Sequence, residues 1–182
     1  MPVYVAMPRG INVGGHKKIK MDLLRAALEE IGLEQVKTYI QSGNIVFKYA
    51  KASPEALSKK IENKILEEFG HAVSVITRSA EEIKKSIAGN PFLKERGIDE
   101  EKLHVMFMSG APAPAALKQL EALTIAPDQL RCVGKELYFY LPNGMAGSVL
   151  MKKPVDRLLG VVTTTRNWRT VNTLQQMCMD CR

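Results

Sequence analysis

Long apolar runs are absent from this 182-residue chain. Runs such as Ile45-Val46-Phe47 fall far short of the ~18 residues that span a bilayer, so a membrane-crossing helix is not expected. The opening Met-Pro-Val-Tyr-Val has neither the basic stretch nor the apolar stretch of a secretory signal, and a cytoplasmic protein is expected. Cysteine is scarce, with three residues. Cys132 sits in an apparent strand, where a small buried hydrophobe is the usual role. Cys178 and Cys181 form one C-x-x-C with no second pair at zinc-ligand spacing, and it follows a helix rather than opening one, as a redox motif would. No H-x-x-x-H pair or carboxylate cluster suggests a metal, and no motif implies a cofactor. Aromatics make up only 6% of the residues, which limits any surface on which bases could stack. No block of five like charges occurs, so there is no basic or acidic tail.

Against these absences stand 46% hydrophobic and 25% charged residues, the balance of a globular protein with a core of its own. The length suits one large domain or two small ones. A formal charge of +7 is compatible with nucleic-acid, nucleotide or membrane-surface partners, and equally with an ordinary basic protein.

Hydrophobic periodicity organises the chain. Val3 to Met7 reads as a strand stopped by Pro8, followed by the loop Arg9-Gly-Ile-Asn-Val-Gly-Gly15. Leu24, Ala27, Leu28 and Ile31 mark a helix that Gly32 ends. Val36–Gln41 and Asn44–Tyr49 read as strands joined at Ser42-Gly43. Ser53 and Pro54 open a helix with Leu57, Ile61, Ile65 and Phe69 on one face, and Ala72–Thr77 closes the unit. Ser79 with Glu82 is a capping box for a connecting helix that stops before Asn90-Pro91. The pattern then recurs about 100 residues later. It comprises a strand at Leu103–Met108, a helix at Pro114–Leu123, strands at Leu130–Val133 and Glu136–Leu141, a helical stretch over 148–159 interrupted by Pro154, and a short strand at Val161–Thr163. A terminal helix carries Trp168, Val171, Leu174 and Cys178. The expectation is an α+β fold: a tandem duplication of ferredoxin-like βαββαβ units with antiparallel sheets and an added C-terminal helix. Residues 1–78 form the first unit, 79–102 the connection, and 103–182 the second.

In a βαββαβ unit, the loop after the first strand and the hairpin between the second and third leave the sheet at one edge. Arg9–Gly15 and Gln41–Asn44 are therefore expected to be neighbours. Glycines let a ligand approach the backbone, and Arg9, Asn12, Gln41 and Asn44 carry directed hydrogen-bonding groups. The expected ligand-binding set is Arg9, Asn12, Gly14, Gly15, Lys17, Lys20, Gln41, Ser42 and Asn44. Lys17, Lys18 and Lys20 before a helix start near Met21 suit an anion. The plain alternative is that the glycines make turns and the lysines form a solvated helix entry. A phosphate loop of the nucleotide-hydrolase type is excluded, because His16 stands where its lysine should be and Lys18 replaces the metal-binding hydroxyl. No G-x-G-x-x-G is present.

Thr163-Thr-Thr-Arg-Asn-Trp-Arg-Thr170 reads as the cap of the last helix, with Arg166 and Arg169 at an end whose dipole is already positive. A bound phosphate or an internal carboxylate would account for them, and both join the candidate set if the terminal helix packs near the edge of the Arg9–Gly15 loop. The expected partner is a phosphorylated small molecule or nucleotide. Two other readings stand beside it. One is nucleic-acid binding on an open sheet through Tyr4, Phe47 and Tyr49. The other is an enzyme using His16 as base, the only histidine in the loop.

The stretches Arg9–Gly15, Thr38-Tyr-Ile-Gln-Ser-Gly-Asn-Ile-Val-Phe47, Asn90-Pro-Phe92, Leu141-Pro-Asn-Gly144 and Thr165-Arg-Asn-Trp-Arg-Thr170 resemble the signatures of domain-of-unknown-function family 1697. Pro8 departs from that pattern, which has an aliphatic residue before the arginine, and a shortened first strand would follow. The resemblance implies the duplicated ferredoxin-like fold in soluble, mainly bacterial proteins; it implies no established activity.

Overall fold

The computed structural model describes residues 1–181. It contains two four-stranded antiparallel sheets, each built by a βαββαβ-like run of chain. In the first run, β1 (Val3–Pro8), α1 (Met21–Glu30), β2 (Glu34–Tyr39), β3 (Asn44–Lys48), α2 (Pro54–Phe69) and β4 (Val75–Ser79) give the strand order β2-β3-β1-β4. The second has β5 (Leu103–Met108), α4 (Pro114–Ala122), β6 (Gln129–Val133), β7 (Glu136–Tyr140) and β8 (Thr163–Asn167), in the matching order β6-β7-β5-β8. Between β7 and β8 lie α5 (Gly144–Gly147) and α6 (Val155–Leu159). Helix α3 (Ala80–Ala88) connects the runs, and α7 (Trp168–Met179) follows β8. The chain divides into two compact units, Met1–Lys85 together with the tail from Thr173, and Ser86–Asn172.

Local chemistry sets the helix limits. Ser53 Oγ accepts from the Ala56 N–H at 3.2 Å, Pro54 begins α2, and Gly70 ends it in the left-handed region. Ser79 and Glu82 exchange hydrogen bonds of 2.8 and 3.1 Å at the start of α3, the expected capping box. In the first core, Leu24 and Leu28 of α1 and Leu57, Ile61 and Ile65 of α2 are buried with Tyr4, Ala6, Ile45 and Phe47 of the sheet. Each of these leucine, isoleucine and phenylalanine side chains contributes roughly 1.5–3 kcal/mol relative to exposure. In the second, Leu120, Leu150, Val155 and Leu159 are buried with Met106, Met108, Leu137 and Phe139.

Several boundaries differ from the sequence reading. Pro8 does not cut β1 short. It is the last residue of the strand, opposite Val75, where a missing N–H is tolerated. The β2–β3 connection is a four-residue turn, Ile40–Gly43, rather than Ser42-Gly43 alone, because Tyr39 already pairs with Asn44. Strand β4 begins at Val75 rather than Ala72. The helical stretch expected over 148–159 resolves into a 3-10 turn at Leu150–Lys152 and α6, since Pro154 cannot donate into a continuous helix.

The largest shift concerns the last strand. Thr163–Asn167 is β8 rather than a helix cap, so Arg166 lies within a strand and Arg169 within α7. A run of β-branched threonines suits a strand as well as a cap, and the sheet decides between them. Asn167 caps α7, its Oδ1 accepting from the Thr170 N–H at 2.8 Å.

Strand registers show the duplication residue by residue. Tyr4 lies opposite Phe47 and Ser79, and His104 opposite Phe139 and Asn167. Val5 faces Arg78, and Val105 faces Arg166. Both arginines are buried, and each donates Nη1 to the carbonyl of the preceding threonine, at 3.1 Å for Arg78 and 2.9 Å for Arg166. Each is followed by the side chain that caps the next helix, Ser79 or Asn167.

Candidate functional site

Strands β1 and β3 run antiparallel with Ala6 opposite Ile45, so the loop leaving β1 and the turn entering β3 emerge at the same sheet end. They touch there: Asn12 Nδ2 donates to the Gln41 carbonyl at 2.8 Å. The same amide donates to the Ile19 carbonyl at 2.9 Å, and its Oδ1 accepts from the Ile19 N–H at 2.8 Å. One side chain thus fastens the start of the loop, its end and the neighbouring hairpin. Between those points Asn12 N–H bonds the Lys17 carbonyl, and His16 N–H bonds the Val13 carbonyl, closing a tight exposed turn. Lys17 Nζ reaches across to the Ala72 carbonyl at 2.8 Å, tying the loop to the segment after α2.

This loop holds unusual backbone. Gly10, Gly14 and Gly15 have φ between 58 and 78°. Four non-glycine residues among those described share the left-handed region, and three of them, Asn12, Lys17 and Ile40, belong to the loop and the facing turn. The fourth, Gln35, sits where the β2–β3 register shifts. A β-branched residue such as Ile40 at φ 51° is a genuine outlier. Strain of this kind persists where surrounding contacts over-determine the backbone, and it concentrates at binding sites.

Behind the turn lies a cavity of about 610 Å³, lined by Asn12, Gly15, Lys18, Ile19, Lys20, Leu23, Gln41 and Phe69. That volume lies within the range of small-molecule sites. The lining combines three apolar side chains with two lysines, and none of these residues is acidic. Across residues 9–20 the chain carries four basic residues and no acidic one. Helix α1 begins beside the lysines, and its N-cap, Lys20, makes no side-chain capping bond. An anion would therefore meet cationic side chains and a positive dipole end together.

Of the residues expected from sequence, Asn12, Gly15, Lys20 and Gln41 line this cavity. Gly14 and Lys17 belong to the same loop, Lys17 as its tether to Ala72. Arg9 opens the loop, its N–H bonded to the Ser74 carbonyl. Ser42 and Asn44 lie in the turn, where buried Asn44 donates Nδ2 to Tyr39 O at 3.1 Å and Ser42 Oγ at 2.9 Å. Arg166 and Arg169 belong to the other compact unit. Arg166 Nη1 also donates to Thr164 Oγ1 at 2.7 Å, and burial lowers its pKa to about 10. Sequence reasoning missed Ile19, Leu23 and Phe69 as lining residues. Leu23 was discernible as an apolar residue off the buried stripe of α1, and it is 52% exposed.

The corresponding edge of the second unit is plainer. The loop between β1 and α1 spans residues 9–20, whereas that between β5 and α4 spans only 109–113. Both begin with the same backbone contact, Arg9 N–H to Ser74 O and Ser109 N–H to Val162 O. The hairpin turns are Ile40–Gly43 and the shorter Gly134-Lys135. The loop and turn of the first unit supply six of the eight residues that line the cavity.

Other candidate chemistry is placed elsewhere. His16 is exposed on the loop turn and does not line the cavity. Tyr4 and Phe47 stack at 5.8 Å within the first core, and Tyr49 packs against it beneath Lys60. Cys178 and Cys181 are buried and form no disulfide, and burial pushes the Cys132 thiol up. Among the described residues no three His, Cys, Asp or Glu side chains group to hold a metal ion, and no helix is long and apolar enough to cross a membrane.

Residues 1–138 match a family described as a protein of unknown function, DUF1697. Conserved bacterial protein SP0830 from Streptococcus pneumoniae is similar in structure, with a TM-score of 0.76 and 26% identity over 97% of this chain and 98% of that one. No curated protein matches the chain.

Proposed function

The chain belongs to the DUF1697 family, and from that premise we propose that it is a cytoplasmic binding protein for a phosphate-bearing small molecule or nucleotide. The ligand lies between the Arg9–Gly15 loop and the Gln41–Asn44 turn. The observation that carries this reading is the cavity itself: about 610 Å³, opening where a strained, internally clamped loop brings Lys18 and Lys20 beside Asn12, Gly15 and Gln41. Clamping before the ligand arrives lowers the entropy cost of binding. The lysine ammoniums and the start of α1 supply positive potential, and the glycines let an anion approach the backbone.

The test is a thermal-shift screen of the whole protein against nucleotides and phosphorylated metabolites. A ligand at ~100 times its dissociation constant adds about 2.7 kcal/mol of stability. That shift is expected for at least one phosphorylated compound, and it should disappear in the double variant Lys18→Glu, Lys20→Glu. Undiminished shifts in that variant would remove the site from the proposal. Binding of short RNA or DNA that weakens steeply with salt would instead favour a nucleic-acid partner.

A further inference from the structure

Resting on that reading, we infer that the ligand is an amphiphilic anion, a ring-sized apolar body joined to one anionic group. Ile19, Leu23 and Phe69 contribute the apolar part of the cavity wall, and Lys18 and Lys20 the cationic part. The polar equipment is sparse. Both amide hydrogens of Asn12 are donated within the chain, to Ile19 O and Gln41 O. The other polar side chains in the lining are the Gln41 amide and the Lys18 and Lys20 ammoniums. A polyhydroxylated body would lose more hydrogen bonds to water than such a wall returns, and each unmatched hydroxyl costs affinity. An apolar body loses none and covers Leu23, which folding leaves 52% exposed although the buried stripe of α1 is close by. The Lys18 chain runs beside Gly15, where a Cβ would lie 4.0 Å from its Cε. Aliphatic stem and charged head are therefore both available at that rim.

The experiment is calorimetric titration of the intact protein with 1-naphthyl phosphate, 1-naphthoate, 1-naphthol, ribose 5-phosphate and inorganic phosphate. Naphthyl phosphate is expected to bind at least about tenfold tighter than either ribose 5-phosphate or inorganic phosphate, the factor a few buried methylene equivalents supply. Leu23→Asp, a change at an exposed helix position, should erase that preference while circular dichroism stays unchanged. Ribose 5-phosphate binding within threefold of naphthyl phosphate would overturn the amphiphile and leave the phosphate site standing. Naphthol binding as tightly as naphthyl phosphate would overturn the anionic half. Tighter binding of naphthoate would support the amphiphile and replace phosphate by carboxylate. No binding of any anion would overturn both this inference and the reading beneath it.

Discussion

At Gly43 a backbone angle and a packing contact make the same demand. Its φ is 76°, and a Cβ there would overlap Ile11 Cδ1 and approach Leu24 Cδ2 to 3.8 Å. Gly43→Ala combines a left-handed penalty with overpacking and should cost about 2–4 kcal/mol in urea unfolding. Ile40 behaves in the opposite sense. It holds φ 51° with its side chain 52% exposed, so little packing offsets the strain. Ile40→Asn should raise stability by about 1 kcal/mol, because asparagine tolerates that region. His104 supplies a pH test. Burial, the largest influence, lowers its pKa from 6.5, opposed by a backbone hydrogen bond to Lys102. Folding therefore favours the neutral ring; the contribution is present above about 6.5 and is lost as pH falls through the folded value. Between pH 7.5 and 5.5 the wild type should lose more stability than His104→Phe, measured as the difference in urea midpoints. Equal losses would assign the dependence to other groups.

At the level of elements, the loop before α1 behaves as a built part rather than a flexible connection. Asn12→Ala removes three hydrogen bonds and leaves Ile19 N–H and two carbonyls without that partner. A loss of about 2 kcal/mol is expected, together with weaker ligand binding. Lys17→Met cuts only the tether to Ala72 and should cost no more than about 1 kcal/mol, again with reduced affinity for any ligand of the cavity. Much of this region was legible in the sequence. Glycine spacing and the order of strands are local and topological signals, and they brought Arg9–Gly15 and Gln41–Asn44 together correctly. Three things were not legible. Asn12 takes its partners seven and twenty-nine residues away, a choice only the fold makes. Phe69 reads as one more member of an apolar stripe, and nothing local says that its last turn borders a cavity. Thr163–Asn167 satisfies the rules for a cap and for a strand alike, and pairing with β5 settles it as β8.

Across the whole molecule, duplication separates what the fold requires from what one copy has added. Features present twice at matching registers belong to the architecture: Arg78 with Arg166, the caps Ser79 and Asn167, and the backbone contacts of Arg9 and Ser109. What the first run adds is a longer loop, residues 9–20 against 109–113, with left-handed Asn12 and Lys17 and with lysines that line the cavity. That division explains why Arg166, which looked in sequence like an anion ligand, finds a counterpart with the same backbone contact in the other repeat. The most direct measurement is amide chemical-shift mapping of the 15N-labelled protein during titration with 1-naphthyl phosphate. Saturating shifts are expected at Asn12–Lys20, Leu23, Ile40–Gly43 and Phe69, with the amides of β5 to β8 unmoved. Shifts centred on β5 to β8, or no saturable shift at the loop and turn, would contradict the account.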